Sequence, residues 1–309
     1  MKKLNLLTLS VAIILGSAFL VAAQPEVIIH HRVNPHSQSP NRVGDSLTTG
    51  GTSATTPLVY HGGPLIGTPT IYIIWYGNWN QNNGTDTAAG QSLVTDWASS
   101  IGGTPYFSIN QSNSVAGSTI SGNVRFSIGN QTTDGGKTRL RDSDIQSIVN
   151  NALNSGRLPY DSTGVYFVVT SSDVSEQSGF CTRYCGWHTA ATLSKGRVRY
   201  AFIGNAARCL NACAAQTKSP NGNAGVDAAI SVMSHELEEA TTDPDLNAWY
   251  DSSGAENADK CAWTFGHSQF QTANGSWANQ TFGGHNWLIQ RNLFFNGADW
   301  RCMINTSQN

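Results

Sequence analysis

Charge is what this sequence has least of. Only 12% of its 309 residues are Asp, Glu, Lys or Arg, about half the ~25% usual for soluble chains. Its 18 basic residues, set against 20 acidic ones, are scattered and form no basic stripe, which excludes nucleic acid as an expected partner. Beyond residue 23 there is no apolar run near the ~20 residues a membrane-spanning helix needs, so no span is expected in the body of the chain. Cysteine is absent from the first half: Cys181, Cys185, Cys209, Cys213, Cys261 and Cys302 all lie in the second.

What is there points outward. Lys2 and Lys3 precede an apolar run from Leu4 to Leu20 and the small residues Val21-Ala22-Ala23, the pattern of a secretory signal over residues 1–23. Residues 24–57 are rich in Ser, Thr, Gly, Pro and Asn and read as a disordered linker or short pro-segment. Residues 58–309 suffice for one domain with a substantial core, expected as a monomer. Its weakly charged composition, with nine Trp and nine Tyr, suits a secreted protein that meets extracellular or cell-wall material, peptide or polysaccharide. A sugar platform would need an exposed coplanar pair of rings.

An even number of cysteines in an exported chain favours disulfides. The two C-x-x-x-C pairs are close enough to close small local loops, leaving Cys261 to join Cys302. A four-thiolate zinc site is the alternative for the two pairs.

Residues 70–76 (T-I-Y-I-I-W-Y), 164–170 (G-V-Y-F-V-V-T), 197–203 and 124–128 read as strands. Helical periodicity appears over residues 91–101 and 142–153. Residues 179–188 read as a cysteine-pinned loop, and His188 in it as a hydrogen-bonded loop histidine or, aimed by the disulfides, a residue of the site. A further helix is expected over residues 228–242, stopped by Pro244.

That last helix carries the chemistry, in Ser234-His235-Glu236-Leu237-Glu238-Glu239. Positions i and i+4 share a helix face, so His235 and Glu239 can grip one ion while Glu236, about 100° further round, points beside it. In H-E-x-x-H zinc peptidases two histidines hold the metal and the Glu is the general base. Glu239 stands here where the second histidine would. Glu238 lies close enough to the same face to compete with it. A third ligand is expected from Glu256 or Asp259, with Asp245, ten residues after His235, as competitor. Zinc is the expected ion and calcium, which prefers oxygen, the alternative. The alternation of strands and helices resembles the N-terminal half of the zincin fold. The expected fold is therefore a single α/β domain with a mixed, mainly parallel sheet, a zincin-like (metzincin-like) core and a disulfide-stabilised C-terminal half.

Tyr60-His61-Gly62-Gly63-Pro64-Leu65, Ile74-Trp75-Tyr76-Gly77, Ile203-Gly204-Asn205 leading to Cys209 and Cys213, and Ser219-Pro220-Asn221-Gly222 with Gly225-Val226-Asp227 follow one another along the chain. In order and spacing they resemble the exordium, or phosphate-induced protein 1, family. The resemblance implies a secreted cell-wall or apoplast protein linked to growth and cell expansion, and brings no mechanism with it. Two function classes follow: a zinc-dependent, peptidase-like hydrolase, and a noncatalytic extracellular protein with a structural calcium site or no metal.

Overall fold

The structure is a computed structural model describing residues 29–32 and 56–306; the expected signal lies outside them. The strands are β1 (Ile29–Arg32), β2 (Val59–Tyr60), β3 (Thr70–Tyr76), β4 (Gln131–Asp134), β5 (Arg139–Leu140), β6 (Gly164–Thr170), β7 (Ser175–Glu176), β8 (Tyr184–Leu193), β9 (Gly196–Ile203) and β10 (Trp249–Tyr250). The long helices are α1 (Ala88–Ser100), α2 (Asp142–Asn154) and α3 (Ala224–Thr242). Short hairpins complete the C-terminal part.

β3 and β6 are unbroken runs of β-branched and aromatic residues, and every residue of both is buried. Such strands are stable only at the centre of a sheet covered on both faces. They occupy that position in a six-stranded sheet of order β1-β8-β9-β6-β3-β4. β3 pairs parallel with β4 and β6, and β6 with β9, whereas β8 runs antiparallel to both β9 and β1. The β3-α1-β4 crossover steps one way across the sheet and β4-α2-β6 steps back. Right-handed crossovers therefore put α1 and α2 on opposite faces. α3 follows β9 and lies on the α1 side, where Trp97 Nε1 donates to Ser234 Oγ at 3.0 Å. No helix among the described residues is long and apolar enough to cross a membrane.

Four expectations change. Residues 124–128 form no strand: Arg125 makes only an isolated bridge to Thr70, Ile128 is 74% exposed, and the polar β4 takes the place beside β3. The expected loop over residues 179–188 becomes β8 from Tyr184 onward, where every residue to Ala191 is buried between β1 and β9. Inside the stretch read as a linker, Ile29–Arg32 pairs with β8. The cysteines of the two C-x-x-x-C pairs do not join locally but cross, Cys181 to Cys209 and Cys185 to Cys213. Cys209, the N-cap, and Cys213, the last residue, bracket one helical turn that docks against Cys181 and Cys185, which bracket the turn leading into β8. Crossing disulfides leave no thiolates for a four-cysteine zinc site. Cys261 joins Cys302 as expected.

Candidate metal centre

α3 starts on a side-chain cap, with Asn223 Oδ1 accepting from Val226 N at 3.2 Å. It then runs between the sheet, α1 and the C-terminal segment, so that every residue from Val232 to Thr242 is buried. Three acids and a histidine are thus carried into the interior. His235 Nε2 lies 3.0 Å from Glu239 Oε1, one turn along. Asp259, at the start of a 3₁₀ turn, places Oδ1 3.6 Å from the same nitrogen, and its backbone N–H donates to Glu239 Oε1 at 3.0 Å. The side-chain amide of Gln290 meets His235 Nδ1. Ligation through Nε2 leaves a proton on Nδ1, for which a half-turn of that amide supplies the acceptor.

The opposite wall is β8. Its period of two turns Gly186 and His188 toward α3. A Cβ on Gly186 would stand 2.6 Å from Val232 Cγ1 and 3.4 Å from Glu236 Oε1, so glycine is what lets the helix approach. Two residues on, His188 Nε2 lies 3.0 Å from Glu256 Oε2 and 3.6 Å from Glu239 Oε2. Potential ligand atoms fall into two groups, His235, Glu239 and Asp259, and His188, Glu236 and Glu239, each within 4.8 Å. Glu239 belongs to both.

The donors are poorly served by the protein alone. Both oxygens of Glu236, Glu239 Oε2, Glu256 Oε1 and His188 Nδ1 are buried without a hydrogen-bond partner, at a cost of about 1–3 kcal/mol for each such group. Burial raises the carboxyl pKa of Glu236, Glu238 and Glu256 well above the usual range and that of Glu239 to about 7. Burial, helped by repulsion from His235, pulls His188 down to about 3, the neutral form a metal ligand needs. Burial also opposes charge on His235, but Glu239 and Asp259 outweigh it and the net shift is upward. These are the responses of acids crowded together and closed off from water. A divalent ion would satisfy the bare oxygens and reverse the carboxyl shifts, so the donor set fits one. Mixed imidazole and carboxylate suits zinc or manganese, and two imidazoles are foreign to the oxygen cages of calcium.

Of the residues singled out in the sequence, His235, Glu236, Glu239, Glu256 and Asp259 come together. Asp245 does not: its carboxylate is held by Arg199 at 2.8 and 3.1 Å and by Arg197 at 3.2 Å. Glu238 faces Tyr106 and Asn292 instead. His188 joins the site from β8, as its disulfide-fixed position allowed, and Gln290 joins it without having been expected there. No described tryptophan is exposed, and the rings of Trp249 and Trp300 meet at 67°, so no coplanar sugar platform appears among the described residues.

Residues 58–290 match the family model described as the phosphate-induced protein 1 conserved region. The chain is 29% identical to Protein EXORDIUM-like 3 of Arabidopsis thaliana, over 90% of its own length and 89% of that protein's. It is 30% identical to Protein EXORDIUM-like 5 of the same plant, over 74% of its length and 68% of that protein's. No solved structure matches the chain.

Proposed function

The chain belongs to the phosphate-induced protein 1 family, and from that premise we propose an extracellular protein built around a buried divalent-metal centre held by His235, Glu239 and Asp259. Three disulfides that survive only in an oxidising compartment support the location. A part in growth or cell expansion is carried over from the family resemblance. The observation that carries the metal is the set of bare, buried carboxylate oxygens around two histidines. The test is the zinc content of protein purified from the secreted fraction without chelators. Stoichiometric zinc in the wild type, lost from the His235 ion in His235→Ala, is the expected result. Wild-type protein devoid of transition metal would leave the noncatalytic, metal-free reading.

A second reading, zinc-dependent hydrolysis of a peptide, is favoured by Glu236. The zincin resemblance of the sequence is the other ground for it. An ion on His235 would supply Lewis acidity and lower the pKa of water beside it. Glu236, one position along the helix and buried with neither oxygen hydrogen-bonded, would accept a proton there and return it to a leaving amine. Asp259, with 19% of its side chain exposed against at most 1% for the others, marks the side from which substrate would enter. Glu236→Gln is expected to abolish turnover of a peptide library while zinc stays on His235. Full turnover in that variant removes Glu236 from the role.

A further inference from the structure

We propose that the centre holds two divalent cations of the zinc or manganese class, bridged by the carboxylate of Glu239. This rests on the metal-centre reading above and extends it to residues on β8. The two oxygens of Glu239 are directed at different histidines: Oε1 lies 3.0 Å from His235 Nε2, and Oε2 lies 3.6 Å from His188 Nε2. Ligand atoms that share an ion at ~2.1 Å each sit ~3–3.5 Å apart, so Oε1 is spaced to share an ion with His235 and Oε2 stands just beyond that spacing from His188. The remaining acids divide the same way. Asp259 Oδ1 stands 3.6 Å from His235, and Glu256 Oε2 stands 3.0 Å from His188. Glu236 groups with His188 and Glu239; one of its two bare oxygens suffices as a ligand, which leaves the other for a proton. One ion on His235 would leave Glu236 and the second oxygen of Glu256 buried with nothing to meet.

Charge counts to the same answer. Glu236, Glu239, Glu256 and Asp259 are four carboxylates, all but the last essentially inaccessible. With all four ionised, a single divalent cation leaves about −2 that only protons could neutralise, whereas two cations balance the set without them. A carboxylate bridging two ions in a closed pocket is also the arrangement that two-metal hydrolytic centres use to position both partners of a displacement.

The experiment is metal stoichiometry with zinc as the probe. Secreted full-length protein is stripped by chelator, shown by circular dichroism to remain folded, and titrated with zinc in parallel with His188→Ala, His235→Ala and Glu256→Gln. Wild-type protein is expected to take up about two ions per chain and His188→Ala about one. Glu256→Gln, a near-isosteric change that guards against loss of fold, is expected to weaken the second ion at least tenfold. Loaded with manganese, the wild type is expected to give the electron paramagnetic resonance spectrum of a coupled pair, and His188→Ala that of an isolated ion. Uptake of a single ion by the wild type overturns the bridge, whichever histidine holds it, while leaving a metal centre in place. Uptake of none overturns both.

Discussion

Asp251 shows how the loop that brings Glu256 and Asp259 to the site is held. It is 2% exposed. Its Oδ1 accepts from Ser253 N at 2.8 Å, Ser253 Oγ at 2.6 Å and Ala255 N at 3.1 Å, and its Oδ2 from Thr56 Oγ1 at 2.8 Å and from Lys260 Nζ. Burial alone would raise its pKa, but Lys260, Ser253 and Thr56 outweigh it and hold the carboxyl well below the usual range. A group depressed in the folded state contributes stability above its unfolded value of ~3.9, and that contribution is lost as pH falls through the folded value. Asp251→Asn is therefore expected to cost about 2–3 kcal/mol at pH 7 in urea unfolding, with the gap to wild type closing below about pH 4. A gap that does not change with pH would show that packing, not charge, carries the effect. At this scale the sequence was legible where spacing along one helix fixed geometry, as for His235 and Glu239. It could not choose between Glu238 and Glu239, because that depends on Tyr106 and Asn292 standing behind the helix. Nor could it discard Asp245, whose arginine partners lie on β9.

Among the secondary-structure elements, the tight approach of β8 to α3 decides the site. Gly186→Ala would put a methyl carbon 2.6 Å from Val232 Cγ1 and 2.9 Å from the carbonyl of Phe202. The Phe202 carbonyl on β9 cannot give way as the Val232 side chain on α3 can, so β8 must shift between them. A loss of about 1–3 kcal/mol in thermal unfolding is expected, together with weaker zinc binding measured by competition with a chromophoric chelator, since His188 moves with the strand. Unchanged zinc affinity at reduced stability would mean that His188 takes no part in binding. β3, β6 and α2 could be read from the chain because buried runs and amphipathic stripes are local patterns. β4, with the sequence Q-T-T-D, could not, since a polar edge strand is recruited by its neighbour and not by its own composition. The crossed disulfides were equally out of reach, because they depend on a helical turn docking against β8.

For the molecule as a whole, the strand contributed by residues 29–32 matters beyond its length. β8 would otherwise stand at the edge of the sheet, and β1 pairs with it over Tyr184 to His188, the part that carries the site. An uncovered edge of that kind is a template for pairing with another chain. A version beginning after Arg32 is expected to form dimers and larger species that the full-length secreted protein does not, visible by size-exclusion chromatography with light scattering. A truncated protein that remains monomeric at the same concentration would show the edge to be protected in some other way. The pairing also imposes an order in time. Ile29 leaves the ribosome long before His188, its partner in the sheet, and a contact so distant along the chain forms slowly. The strand formed by residues 29–32 is therefore among the last to find its place, and until it does the newly made molecule is at its most adhesive.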